Sequence, residues 1–290
     1  MKIVTDSGVD LLMDEASIRD MGIHVLPLNV TLEGKSYREG IDISNSEFYD
    51  LLIASDEMPT TSQPSAGEFA EAYRQIGAEG EDILSIHISS GLSGTYQSAM
   101  AGAEMVPEVN VTHVDTKTLS AAAGWQVRAA AAAIRDGFKL DAILDMLKKI
   151  SDHSDSIYTL EELKYLIHGG RISHLKGLLA SALRIKPIIG VEKIGGTYVQ
   201  HGMVRSFNKA LAGLANFIGK AYPFGSEMRI QVLHARNPEG AEFLMEKLDK
   251  LFKCDWLPSG AMSLVLGAHT GPSMVGVAYA PAAELDSLPF

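Results

Sequence analysis

The sequence predicts an α/β protein of two domains, the first a mainly parallel sheet flanked by helices, the second a mixed-sheet α/β domain. Three observations carry this. Short apolar runs such as Lys2 to Val4, Ile83 to Ile88 and Val109 to Val114 alternate with helical segments through the first half, which is βαβα patterning. After about residue 152, strands follow one another without helices between them, as in KPIIGVE (186–192) and the run from Gly196 to Val204. At 290 residues the chain exceeds the usual single-core size. The expected domains are residues 1–152 and 153–290.

The elements follow in order. Lys2 to Val4 reads as a buried strand, Leu11 to Met21 as a helix stopped by Gly22, and Ile23 to Leu32 as a strand broken by Pro27. Glu33-Gly34-Lys35 reads as a hairpin turn, and Ser44-Asn45-Ser46-Glu47 as a capping box for a helix through Ile53. MPTTSQPS (58–65) reads as a loop and Ala66 to Gly77 as a helix. The Ile83 strand leads to a helix from Thr95, and Val109 to Val114 leads to an Ala-rich helix over Ser120 to Arg135. A further helix covers Leu140 to Ser151. In the second half, a strand at Ser156 to Thr159 precedes a helical turn from Glu161 and an apolar helix over Leu175 to Leu183. The hairpin at Gly195-Gly196 follows. Helices over Asn208 to Ala221 and Pro238 to Phe252 flank a strand at Met228 to His234, and Gly260 to Leu266 and Met274 to Ala280 read as the last strands.

Composition excludes several classes. The apolar fraction of 46% and charged fraction of 21% suit a folded globular chain. No apolar run reaches the ~18 residues of a membrane span. MKIVTDSG opens directly on a strand, so no signal peptide is expected, and a cytoplasmic location is. The single cysteine, Cys254, excludes an internal disulfide framework. A net charge of −11 argues against a general nucleic-acid binder. The nine histidines form no metal-like spacing, and no P-loop is present, so neither a metal nor independent ATP binding is expected.

The stretch from Ile86 to Ala99, IHISSGLSGTYQSA, carries the most chemistry. It reads as a strand, a hydroxyl- and glycine-rich turn, then a helix. Free amides at a helix start, with the dipole behind them, favour an anionic group. Gly91 and Gly94 allow close backbone approach, and Ser93 can donate a hydrogen bond. The same residues also suit a plain turn and cap. Thr61 suits a cap for the helix near Ser65. Asp6 and Ser7 lie at a strand's carboxyl end, where open sheets bind ligands, although Asx-type bonding within the loop is the preferred reading.

The motifs TDSGVDL (5–11), YREGIDIS (37–44), PTTSQPSAGEF (59–69), SIHISSGLSGTYQSA (85–99), LKYLIHGGRIS (163–173), IKPIIGVEKIGGTYV (185–199) and GAHTGPSMVGVAY (267–279) occur in this order. Together they resemble the DegV family, the fatty-acid-binding subunits of bacterial fatty acid kinase, over essentially the whole chain. The resemblance implies a non-catalytic, two-domain protein that buries the tail of a long-chain fatty acid. A separate ATP-dependent kinase subunit would convert the carboxylate to an acyl phosphate that feeds phospholipid synthesis. It implies no cofactor beyond the bound fatty acid. Its carboxylate-binding positions fall on Thr61, Ser93 and His269, and Arg205 falls on a basic position implicated in the kinase partnership, with Arg171 a weaker candidate for the same role.

The chemistry of those residue types agrees. Two hydroxyls and an imidazole supply three hydrogen bonds without hiding the carboxylate behind an arginine clamp. The tail supplies most affinity, since each buried methylene contributes ~0.8 kcal/mol. Leu178, Leu179, Leu183, Ile188 and Ile189 are expected tunnel lining or ordinary core. The competing readings are a serine esterase using Ser93, and a carrier for another amphiphile. The esterase reading lacks the G-x-S-x-G elbow and an acidic third member. The sequence departs from the family at Gly8-Val9-Asp10, Arg205-Ser206-Phe207-Asn208 and Pro272-Ser273-Met274.

Overall fold

A computed structural model describes residues 1–175 and 185–286. The strands are β1 (Lys2–Asp6), β2 (Ile23–Leu26), β3 (Asn29–Leu32), β4 (Lys35–Arg38), β5 (Thr60–Ser62), β6 (Ile83–His87), β7 (Val111–Asp115), β8 (Asp155–Thr159), β9 (Lys186–Val191), β10 (Tyr198–Val204), β11 (Glu227–His234), β12 (Lys253–Trp256), β13 (Gly260–Ala261) and β14 (Val275–Pro281). The helices among the described residues are α1 (Glu15–Asp20), α2 (Asn45–Ala54), α3 (Ala66–Gly77), α4 (Thr95–Glu104), α5 (Ser120–Arg135), α6 (Leu140–His153), α7 (Lys164–His168), α8 (Phe207–Ala221), α9 (Pro238–Asp249), α10 (Leu264–Thr270) and α11 (Ala282–Leu285), with a 3-10 turn at Arg171–Leu175.

The α/β class is as expected. A four-stranded sheet in the order β2-β1-β6-β7 is wholly parallel. A mixed sheet runs β10-β9-β8-β14-β11-β12, with β13 beside β11. A third, antiparallel sheet of β4-β3-β5 is small but places part of the site.

Helix α5 explains its own alanines. It packs on β1 and also on β8 and β14, so it lies between the two large sheets. Ala121 to Ala123 and Ala129 to Ala133 are all buried, and small side chains allow this double contact. Gly124 has no room for a Cβ, which would lie 2.2 Å from the Asp10 carbonyl oxygen. Trp125 Nε1 donates to Gln231 Oε1 at 2.6 Å, tying the helix to β11. On the far face of the mixed sheet, α8 and α9 bury Leu211, Leu214, Ile218, Leu244 and Leu248 against Ile230 and Val277. Helices α3 and α4 cover the parallel sheet with Phe69, Tyr73 and Ile76 from α3 and Ala99 from α4.

Several boundaries differ from the sequence reading. The helix expected from Leu11 starts only at Glu15, because Asp14 caps it through a bond from the Ser17 amide and Leu12 has φ +48°. Pro27 separates two strands that belong to different sheets. MPTTSQPS is not all loop: Thr60–Ser62 adds a strand beside β3. The segment from Gly260 is a two-residue strand followed by helix α10, not one strand. The apolar stretch Leu264 to Leu266 is too short to show a period that tells the two apart. The helix expected over Leu175 to Leu183 lies largely outside the described residues, as do Leu178, Leu179 and Leu183.

Candidate functional site

Three elements from distant parts of the chain meet at one point. Strand β5 brings Thr61, paired with Val30 of β3. Helix α10 packs on β3, β5 and α7 and brings His269 in its last turn. The turn after β6 brings Ser93. Thr61 Oγ1 and His269 Nε2 are 2.7 Å apart. Thr61 does not cap α3, because Ser65 does so in a full capping box with Glu68.

Ser93, Thr61 and His269 line one small cavity of about 30 Å³, together with Gln63, Leu92, Arg171 and Tyr198 among others. Two further spaces share walls with it. Outward, a groove of about 350 Å³ is bounded by Ser90, Leu92, Ser93, Gln97, Arg171 and Ser173. Inward, an apolar cavity of about 10 Å³ lies between Tyr158, Leu160, Leu166, Ile189, Tyr198 and Met274. Leu92, Ser93 and Arg171 face both outer spaces, while Leu119, Tyr198 and Leu266 face both inner ones. The three therefore lie in series, from a polar mouth to an apolar end.

His269 is buried and neutral. Burial, with Arg171 and His168 nearby, pulls its pKa down to about 3. Among the described residues its Nδ1 has no hydrogen-bond partner, and it sits against Gly169, where a Cβ would come within 2.1 Å of it. Glycine at 169 is thus a packing requirement of the imidazole. The depressed pKa means the fold favours the neutral ring, a contribution present above pH 6.5 and lost as pH falls toward 3. At about pH 5.5, where an ordinary histidine is mostly protonated, the ¹⁵N signals of His269 in the ligand-free protein are expected in the neutral pattern. An imidazolium pattern there would contradict the burial argument.

Among the described residues Ser93 has local partners only. Its Oγ lies 2.8 Å from Thr95 Oγ1 and accepts from the Thr95 amide at 3.3 Å. It has no hydrogen bond to His269 or to any acid among the described residues, so it lacks the activated pair a serine hydrolase needs. An Asp6–His87–Ser85 string does occur, at 2.9 and 2.7 Å. All three residues are fully buried, and Ser85 Oγ is also bonded to Tyr73 at 2.7 Å. That string is core structure: Asp6 also accepts from the amides of Gly8 and Ile88, the first being the Asx-type bond expected from sequence.

The two glycines behave differently from a free anion cradle. The Gly91 amide donates to Ser89 Oγ at 3.1 Å. A Cβ at Gly91 would meet the Gly195 carbonyl at 2.3 Å, so its role is close packing against the β9–β10 turn. Gly94 is the N-cap residue of α4 and packs on the Gln63 side chain. Sequence reasoning missed Gln63, Tyr198 and Leu266 as lining; Gln63 was legible only as part of TTSQPS.

The two arginines part company. Arg171 lies at the mouth, where Nη1 donates to the Gly169 carbonyl at 2.7 Å. It lines both outer spaces and has no ion-pair partner among the described residues. Arg205 is exposed just past β10 and lines none of these cavities. Tyr198, at the other end of that strand, faces the cavity, so strand rise puts Arg205 on the order of 20 Å away. Among the described residues, no three His, Cys, Asp or Glu side chains cluster to hold a metal, and no helix is long and apolar enough to cross a membrane.

The fold is α/β, with three spaces in series that run from a polar mouth to an apolar end. The family model described as "Uncharacterised protein, DegV family COG1307" matches residues 1–282, and the chain belongs to that family. It is 35% identical over 275 residues to the DegV domain-containing protein SA1258 of Staphylococcus aureus, covering 95% of this chain and 96% of that one. Its fold matches a fatty-acid-binding DegV family protein from Thermus thermophilus with a TM-score of 0.85 at 30% identity, covering 97% and 99% of the two chains. The fatty-acid-binding DegV family protein SAG1342 from Streptococcus agalactiae matches equally, with a TM-score of 0.85 at 30% identity over 97% and 98%.

Proposed function

We propose that this chain binds a long-chain fatty acid and presents its carboxylate to a separate kinase subunit, which converts it to an acyl phosphate for phospholipid synthesis. The chain itself performs no chemistry. The observation that carries the binding half is the series of three spaces with the Thr61–His269 pair between polar mouth and apolar end. The fatty acids bound by the related DegV proteins from Thermus thermophilus and Streptococcus agalactiae support it.

The carboxylate would sit among Thr61, Ser93 and His269. If the His269 Nε2–H donates to Thr61 Oγ1, the Thr61 hydroxyl is left free to donate to the ligand. Neutral donors hold the carboxylate without quenching the oxygen that must attack a phosphoryl group. Arg171 supplies a cation at the mouth, beside the head group rather than clamped on it. The tail would run inward past Leu119, Tyr198 and Leu266 toward Ile189. The inner cavities are narrow, so these side chains must part to admit it. Residues 1–152 would supply the head-group loops with Thr61 and Ser93, and residues 153–290 would supply His269, Arg171 and most of the acyl pocket. A cytoplasmic location fits a protein that meets an ATP-dependent partner.

The kinase half rests on the family resemblance and on Arg205. An exposed guanidinium remote from the pocket is free to meet an acidic partner surface or a phosphate. In a reconstitution with a kinase subunit, ATP and Mg²⁺, Arg205→Ala is expected to leave palmitate affinity within about twofold and to lower acyl phosphate formation about tenfold or more. Equal loss of palmitate binding would move Arg205 into the pocket. Phosphorylation by this chain alone would end the division of labour.

A further inference from the structure

Two motifs picked out in the sequence, TDSGVDL and YREGIDIS, take no part in the passage described above. Each sends one carboxylate to the same place, the start of helix α10. The Ser263 amide donates to Asp10 Oδ1 at 2.7 Å, and the Leu264 amide donates to Glu39 Oε1. Ser263 is the N-cap residue of this helix, yet its side chain makes no cap bond; its hydroxyl donates instead to Glu39 Oε2 at 2.9 Å. Two side chains from remote loops thus do the work that a local cap normally does.

Both carboxylates are themselves held in place. Ser120 Oγ donates to Asp10 Oδ2 at 2.6 Å, and Ser7 Oγ donates to Glu39 Oε2 at 2.6 Å. The Glu39 amide donates to the Leu28 carbonyl at 3.0 Å, and the Leu28 amide to Ser7 Oγ at 2.9 Å. Every carboxylate oxygen of the pair accepts a bond from this chain. A groove of about 380 Å³ runs past them, but neither group has an oxygen left without a donor to offer a ligand. What they hold is the helix.

That helix is seven residues long, too short to be stable or oriented by its own hydrogen bonds. His269 lies five residues beyond Leu264, about 7.5 Å along the axis. On one side Gly267 is pressed against the Tyr49 ring, where a Cβ would lie 1.8 Å from its hydroxyl. The far end turns at Gly271 with φ +77°. The position of the imidazole against Thr61 therefore depends on where the first turn of α10 is anchored.

We propose that Glu39 and Asp10 are positioning residues for the head-group site, holding the first amides of α10 so that the helix delivers His269 to Thr61. The proposal rests on the reading of Thr61, Ser93 and His269 as carboxylate donors. It gives Asp10 and Glu39, one from each motif, one shared task.

The test compares two probes of equal chain length, palmitate and hexadecanol, on the full chain. Only palmitate carries the carboxylate that His269 would meet. Glu39→Ala is expected to weaken palmitate binding about tenfold and to leave hexadecanol within about twofold, the size expected for one misplaced donor. Glu39→Gln keeps an acceptor for the Leu264 amide and is expected to restore palmitate affinity to within about threefold. On a His269→Ala background, Glu39→Ala should add nothing. If Glu39→Ala does not fold, Glu39→Asp serves instead: it keeps the carboxyl group but is too short to span Ser263 and Leu264, and the same selective loss is expected. Equal losses for both probes, or additive losses with His269→Ala, would overturn the positioning role alone. A His269→Ala protein that binds palmitate like the parent would remove the head-group reading, and the positioning role with it.

Discussion

Asp6→Ala is expected to lower the unfolding free energy by about 3–5 kcal/mol, because it removes one buried acceptor that serves three donors, each of which costs about 1–3 kcal/mol when left unsatisfied. The fully buried carboxylate bonds to His87 Nδ1 and accepts the amides of Gly8 and Ile88. Alanine would leave those amides and the imidazole in the core without partners, and such groups carry their full desolvation penalty. The lost bonds also join the ends of β1 and β6, from which the turn bearing Ser93 departs. Urea unfolding should show the midpoint falling with little change in slope. A loss below about 1 kcal/mol would mean that water or a rearranged His87 replaces the carboxylate.

Ile189→Trp is expected to produce the largest change in ligand binding. Ile189 is buried on β9 and faces the apolar end of the passage. An indole there would take the space needed by the last methylenes of a long tail. Excluding about four methylenes at ~0.8 kcal/mol each removes ~3 kcal/mol, about a hundredfold in palmitate affinity. Decanoate, which stops short of the blocked end, should lose less than about threefold. Overpacking itself destabilises by about 1–3 kcal/mol, so binding is compared below the unfolding transition of both proteins. Equal losses for palmitate and decanoate would place the tail elsewhere.

The parts of this fold that were legible in the sequence are those whose signal is local. The capping box at Ser44 set the start of α2 directly, whereas the Ser65–Glu68 box that starts α3 was passed over in favour of Thr61. The Glu33-Gly34 turn shows positive φ at both residues, as its hairpin geometry demands. The alanines of α5 marked a packed helix, although nothing local revealed that two sheets enclose it. Helix α10 was misread because Leu264 to Thr270 is buried on all sides, which erases the period that separates helix from strand. Strand β5 was missed because three residues between two prolines carry no alternation. The site divides in the same way. Thr61, Ser93 and His269 were named through family motifs, and the structure brings all three to one cavity. The anchoring of α10 was not legible: Asp10 and Ser263 are 253 residues apart. Arg171 was visible as a lone cation in GGRIS, but only the fold puts it at the mouth.

The central claim is that a long-chain fatty acid occupies the passage with its head group at Thr61 and His269. The most direct measurement is lipid mass spectrometry on organic extracts of the purified chain and of a Thr61→Ala/His269→Ala variant, with thermal unfolding of delipidated protein in the presence of palmitate. The account predicts fatty acids of about 14–18 carbons from the parent, much less from the variant, and a palmitate-dependent rise in melting temperature for the parent. A different amphiphile in the extract, or no lipid together with no thermal shift at saturating palmitate, would contradict it.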